Sequence, residues 1–177
     1  STGISASIPA MLALTEAIGG REVAARVAGE LGVESWDARH RSSLFELTGE
    51  HRKTFVRNNI TLWRHETLGI PIAEGVDEIA LALTVDAYSR TELANVVALA
   101  PGGEAVRSRL GLLIQPDQAS EGARVDAMLP APSPDAPGQA LERELPRIAE
   151  RYDLPTAAIV AQVMEYPWVP KRAVASR

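Results

Sequence analysis

The chain has 177 residues, a net charge of −5 and 46% hydrophobic content, with aromatics at only 5%. That is enough apolar material to bury a core as one domain or as two small units leaning on each other, so a disordered tail is excluded. Cysteine is absent, which removes a disulfide framework, thiolate metal sites and any thiol nucleophile.

In chain order, the first predicted element is a helix over 7–18, with Ile8, Met11, Leu12, Leu14 and Ile18 at helical spacing, Ser5 or Ser7 as N-cap and Pro9 in the first turn. Gly19-Gly20 should end it. A second helix over 21–31 carries Val23, Val27 and Leu31 on one face and stops at Gly32. The polar stretch 36–49 reads as a connecting loop with a short strand near 44–47. A long amphipathic helix over 50–66 follows, with Phe55, Val56, Leu62 and Trp63 as its apolar stripe and Arg52, Lys53, Arg57 and Arg64 as a solvated flank.

Residues 68–73 read as a strand, 77–90 as a helix and 95–100 as a second strand. The Pro-Gly-Gly of 101–103 is a turn, 106–114 a hairpin arm, and 125–129 one more short strand. Strand, helix, strand implies a parallel sheet, so the expected fold is α/β: three-layer, a mostly parallel sheet flanked by helices, and helix-rich. The stretch 131–138 holds three prolines and a glycine and is the best linker candidate. Two helices, 139–151 and 156–165, close the chain, with fraying expected after Pro167.

Two runs carry a resemblance. Residues 16–27, Glu-Ala-Ile-Gly-Gly-Arg-Glu-Val-Ala-Ala-Arg-Val, preceded by the small-residue turn Ser-Thr-Gly-Ile-Ser-Ala-Ser-Ile-Pro, are similar to the closing turn and last helix of the ThiJ/PfpI superfamily, the class I glutamine amidotransferase-like fold. The segments Gly-Val-Asp-Glu-Ile-Ala-Leu-Ala from Gly75, Val-Val-Ala-Leu-Ala-Pro-Gly-Gly from Val96, Arg-Leu-Gly-Leu-Leu-Ile-Gln-Pro-Asp from Arg109 and Val-Asp-Ala-Met-Leu-Pro from Val125 resemble the opening of such a domain. Ala131 and Pro132 stand where that family has glycines. The resemblance divides the chain into 1–35, the end of one ThiJ/PfpI-like domain; 36–67, a connecting loop and helix; 68–132, the start of a second; and 139–166, a carboxyl-terminal helix pair.

The resemblance also implies site residues. The turn at Thr2, Gly3 and Ser5 would overhang the catalytic pocket, and Glu78 matches the acid that hydrogen-bonds the family's cysteine thiolate and tunes it. Both have plain structural readings: Ser5 or Ser7 as a helix cap, and Asp77 and Glu78 as first-turn acids complementing a helix dipole. Without a cysteine, the implied protein is inactive alone. It would derive from a hydrolase, hydratase or deglycase-type enzyme or from a ligand-sensing regulator, and its partners would be a second copy, an amino-terminal half of the same protein or a small-molecule ligand.

A non-enzymatic dimerisation or transcription-regulator sensor module is the alternative, with 50–66 and 139–165 as partner surfaces and a weak helix-turn-helix over 141–163. A third reading makes Ser1 or Thr2 an N-terminal nucleophile. His40, His51 and His65 are spaced by 11 and 14 residues and lack the i, i+3 or i, i+4 pairing of a metal pair, so no metal or cofactor is expected. His65 should sit at a helix end, where a cation suits the dipole. Gly102-Gly103 lacks the GxGxxG spacing or the GK[ST] ending of a phosphate loop. The acidic balance argues against nucleic acid, no apolar run reaches the roughly 18 residues of a membrane span, and a cytoplasmic location is expected.

Overall fold

In a computed structural model of the protein, the described residues are 4–34, 36, 45 and 47–170. Six helices flank a mostly parallel four-stranded sheet, the α/β fold expected. The helices are α1 (Ile4–Gly19), α2 (Arg21–Leu31), α3 (Gly49–Ile60), α4 (Glu78–Ser89), α5 (Ala140–Arg151) and α6 (Leu154–Val163). The strands are β1 (Glu66–Pro71), β2 (Ala94–Ala100), β3 (Val106–Arg107), β4 (Leu113–Ile114), β5 (Gln118–Ala119) and β6 (Ala127–Met128).

The sheet runs β5-β2-β1-β6, and every pairing in it is parallel. β1 and β2 register Leu68 with Val96 and Ile70 with Ala98. Because side chains alternate across a strand, these residues share one face, where they meet Leu83 and Ala87 of α4, Leu141, Leu145 and Ile148 of α5 and Val160 of α6. The strands expected at 68–73, 95–100 and 125–129 therefore do lie in one parallel sheet. The arm over 106–114 is the antiparallel hairpin β3-β4, while β5, two residues long, had no signal in the sequence.

Helix ends follow the expected chemistry. Gly32 takes a left-handed φ of 73° beyond α2 and donates to the carbonyls of Ala28 and Gly29. Asp77 caps α4, its Oδ1 accepting from the N–H groups of Ile79 and Ala80 at 3.0 Å each. Thr48 caps α3 in a capping box completed by His51 Nδ1.

Several expectations are corrected. α1 begins at Ile4, so Ser5 and Ser7 lie inside it rather than at its N-cap, and Pro9 is past the first turn. Met11, Leu14 and Ile18, whose helical spacing reads with Ile8 and Leu12 as one apolar set, face solvent. α1 packs against α2 instead and turns Leu12 and Ile8 inward, while Val23 is half-buried beside Gly19. Of the strand expected at 44–47, Phe45 and Leu47 are described and neither is in a strand.

α3 stops at Ile60, far short of 66, because Thr61 closes it with its hydroxyl on the Arg57 carbonyl (2.8 Å) and the chain must extend to enter β1. Its apolar residues Phe55 and Val56 point outward, as does Trp63 in the 3-10 turn that follows. The proline-rich stretch is irregular over 131–136, then Pro137–Gln139 forms a 3-10 turn packed against α2. Gln139 donates to the Gly32 carbonyl at 2.7 Å. Beyond Pro167, Trp168 packs against the main core rather than fraying.

Candidate functional site

In an open parallel sheet, the crevice beyond the carboxyl ends of the strands, where the strand order reverses, is the favoured ligand position. Here the chain moves from β1 outward to β2 and β5, then returns to the other side of β1 with β6. The reversal is at β1, and a cavity of about 340 Å³ opens there. Its walls come from four segments: Pro71 to Asp77 between β1 and α4, Leu99 and Pro101 at the end of β2, Ser120 after β5, and Ala131, Pro132 and Pro134 after β6.

The prolines that make 131–134 unfit for regular structure are what give the cavity one rigid apolar wall. Its polar groups are largely engaged. Glu74 accepts from the Arg107 N–H at 3.0 Å. Asp77, buried, caps α4 and meets Arg109 at 3.4 Å, and Arg109 also reaches Glu30 of α2 at 3.8 Å. The α4 N-terminus is therefore closed by its own aspartate and offers no anion seat.

Glu78 is the first residue of α4, as a first-turn acid should be. Ser108 donates its hydroxyl to Glu78 Oε1 at 3.2 Å and accepts from the Leu112 N–H at 2.9 Å, which ties the β3-β4 hairpin to the helix start. Glu78 Oε2 is buried with no hydrogen-bond partner among the described residues. Thr2 and Gly3 lie outside the described residues. Of Ser5 only the helical backbone is described.

The cavity wall contains one hydroxyl, that of Ser120, and no imidazole or thiol. The two described histidines serve α3: His51 in its capping box, and His65, expected at the helix end, which lies five residues beyond it just before β1, its Nε2 2.9 Å from the Asn58 carbonyl. Among the described residues no group of three metal-ligating side chains comes together. The Pro-Gly-Gly turn after β2 is no phosphate cradle, since the Gly102 N–H is bonded to Glu121 Oε2 at 2.9 Å. That hydrogen bond holds the Glu121 carboxyl below its ordinary range.

A larger groove, about 450 Å³, lies between α3 and α6 and is lined by His51, Lys53, Arg57 and Pro155 among others. Its cations are already paired, Lys53 with Glu50 at 2.7 Å and Arg57 with Asp153 at 3.0 Å. Beneath it lies a polar network that the sequence did not show. Asn58, fully buried, accepts from Arg57 through Oδ1 (2.9 and 3.1 Å) and donates through Nδ2 to the Thr91 carbonyl (2.9 Å) and Thr156 Oγ1 (3.1 Å). A lone asparagine on a helix reads as solvent-facing, and only the pairing of distant segments reveals otherwise.

No family model matches the chain, and no curated protein matches it.

Proposed function

We propose that this chain is a ThiJ/PfpI-like α/β unit that binds a small, largely apolar molecule in the strand-end cavity and does no chemistry on it. The observation that carries this reading is the cavity itself: it sits where an α/β sheet places its ligands, yet its lining residues include no thiol and no imidazole to activate its one hydroxyl, Ser120. In the superfamily that the sequence resembles, turnover belongs to cysteine-bearing hydrolases, hydratases and deglycase-type enzymes, while ligand-sensing regulators use the same unit for binding alone. With no cysteine in 177 residues, the residues present fit the second use. Positioning groups such as Glu78 cannot replace an activated nucleophile.

The helix pair α5 and α6 does not support direct DNA reading. Thr156, Ala157, Ile159, Val160 and Ala161 of α6 are buried, and the helix carries no Lys or Arg to meet phosphate. Turnover assays against small aldehydes and amides, with and without a thiol-blocking reagent, test the reading. No turnover is expected under either condition. Robust activity indifferent to the reagent would overturn the proposal and direct attention to Ser1 or Thr2 as nucleophile.

A further inference from the structure

Four prolines wall the cavity at the strand ends. Pro71 closes β1, Pro101 follows β2, and Pro132 and Pro134 follow β6, so the rings reach the cavity from both flanks of the central strand. Ligand sites ordinarily bring aromatic side chains of their own, yet among the described residues none lines this one. A proline ring is rigid and has no rotamers to lose when a guest settles on it. Its C–H groups beside the amide nitrogen are electron-poor, and they attract the negative face of an aromatic ring. The same pairing operates with the roles exchanged where proline-rich segments dock on aromatic-lined grooves.

The polar lining narrows the guest further. The N–H groups of Ile72, Gly75, Val76 and Ser120 are donated to the carbonyls of Leu99, Arg107, Ala73 and Ala100 at 2.8, 2.8, 3.0 and 2.9 Å. Acceptors are what the wall has left to offer. The bond from the Arg107 N–H at 3.0 Å takes one of about four lone-pair positions on the Glu74 carboxylate. Ser120 is exposed, and its hydroxyl can turn a lone pair toward a guest. The guest must therefore carry the hydrogen. A volume of about 340 Å³, near the lower end of ligand cavities, holds it to one or two rings.

We infer that the ligand is a planar aromatic molecule, not an anion, that carries one O–H or N–H donor, with its ring face against the prolines and its donor on the Ser120 hydroxyl oxygen. This class of guest presupposes that the cavity is a binding site, as proposed above. Glu74 and Asp77, the acids in the wall, repel a carboxylate on the ring. Ser120 is the residue that tells a phenol or an indole from a bare hydrocarbon.

The test is a titration of the full chain, followed by the backbone amide resonances of 71–77 and 131–134, with three neutral probes. These are naphthol, its fully saturated counterpart decalol, and naphthyl methyl ether, which keeps the rings and lacks the donor. Naphthol should bind at least about tenfold tighter than either of the others, the equivalent of 1.4 kcal/mol. It should also move the ring protons of Pro132 and Pro134 upfield, as protons over an aromatic face are moved. Ser120→Ala should bring naphthol down to the affinity of the ether and leave most of its lead over decalol. Pro132→Ala/Pro134→Ala should weaken naphthol and leave decalol within about twofold, whereas a wall that had merely collapsed would weaken both.

Equal affinity for naphthol and decalol overturns the inference and leaves the cavity a general apolar site. A lead over the ether that survives in Ser120→Ala overturns the role of Ser120, and equal weakening of both alcohols in the proline variant overturns the stacking. If none of the three probes perturbs 71–77 or 131–134, the proposed binding function itself fails, and this class of guest with it.

Discussion

At the scale of single residues, two polar anchors tie distant segments together, the buried Asn58 and the half-buried Glu66. Asn58 uses both donors and its acceptor across three segments that are far apart in sequence, α3, the turn after α4 and the start of α6. Removing the amide while leaving the Thr91 carbonyl and Thr156 hydroxyl buried costs the desolvation of groups left unpaired. Asn58→Ala should therefore lose about 2–3 kcal/mol by urea unfolding, a fall in Tm of roughly 5–10 °C for a chain of this size. An unchanged midpoint would show that water replaces the amide.

Glu66, at the start of β1, is the other anchor. Arg151 grips both carboxylate oxygens and Tyr152 donates its phenol to one of them. The Arg151 hydrogen bonds, larger than the opposing effect of burial, hold the Glu66 carboxyl below the ordinary 4.5. A depressed folded value means that the contribution is complete above 4.5 and is lost as the pH falls through the lower value. Wild type should thus exceed Glu66→Gln in urea midpoint at pH 7, and the gap should shrink steadily below pH about 4.5. A gap that is constant with pH would assign the effect to packing.

At the scale of elements, the sequence was legible where one local signal decides the outcome. Gly32 at the end of α2, Asp77 before α4 and the apolar runs of β1 and β2 needed nothing distant to be read. It was misread where two distant faces compete. The helical spacing of Phe55 and Val56 with Leu62 and Trp63 reads as a core stripe, but α3 is docked by Asn58 and Arg57, whose partners are about a hundred residues away at Asp153 and Thr156. β5 and the cavity wall at Ser120 are likewise products of pairing, not of propensity.

α2 offers a local test of the glycine reading. A Cβ at Gly29 would meet nothing within 4 Å, and its helical backbone suits alanine, so Gly29→Ala should stabilise by about 0.5–1 kcal/mol. At Gly32 the left-handed φ of 73° is joined by a Cβ contact of 2.4 Å with the Ala136 side chain. Gly32→Ala should therefore destabilise by about 2 kcal/mol or more. Thermal unfolding of the two variants should move in opposite directions, and movement in the same direction would mean that α2 is not seated on the 131–139 segment as described.

At the scale of the whole molecule, the fold places its most rigid apolar wall and its strand reversal at the same point. β1, β2, β5 and β6 all send their carboxyl ends toward the cavity, and the carboxylates near it, Glu74 and Asp77, are occupied by Arg107 and Arg109. An anionic ligand would be set against those two carboxylates, whereas an apolar one only displaces water from Pro71, Ile72, Val76 and Leu99. Neutral apolar fragments should consequently raise the Tm and perturb backbone amide resonances over 71–77 and 131–134, and anionic fragments of equal size should do neither. Ala131 is exposed on the cavity wall, so Ala131→Trp can fill the space without disturbing the core. It should abolish the fragment response while leaving the unliganded Tm within about 1 °C, a surface change being worth at most ~0.5 kcal/mol. A fragment response undiminished in Ala131→Trp would place the binding elsewhere on the molecule.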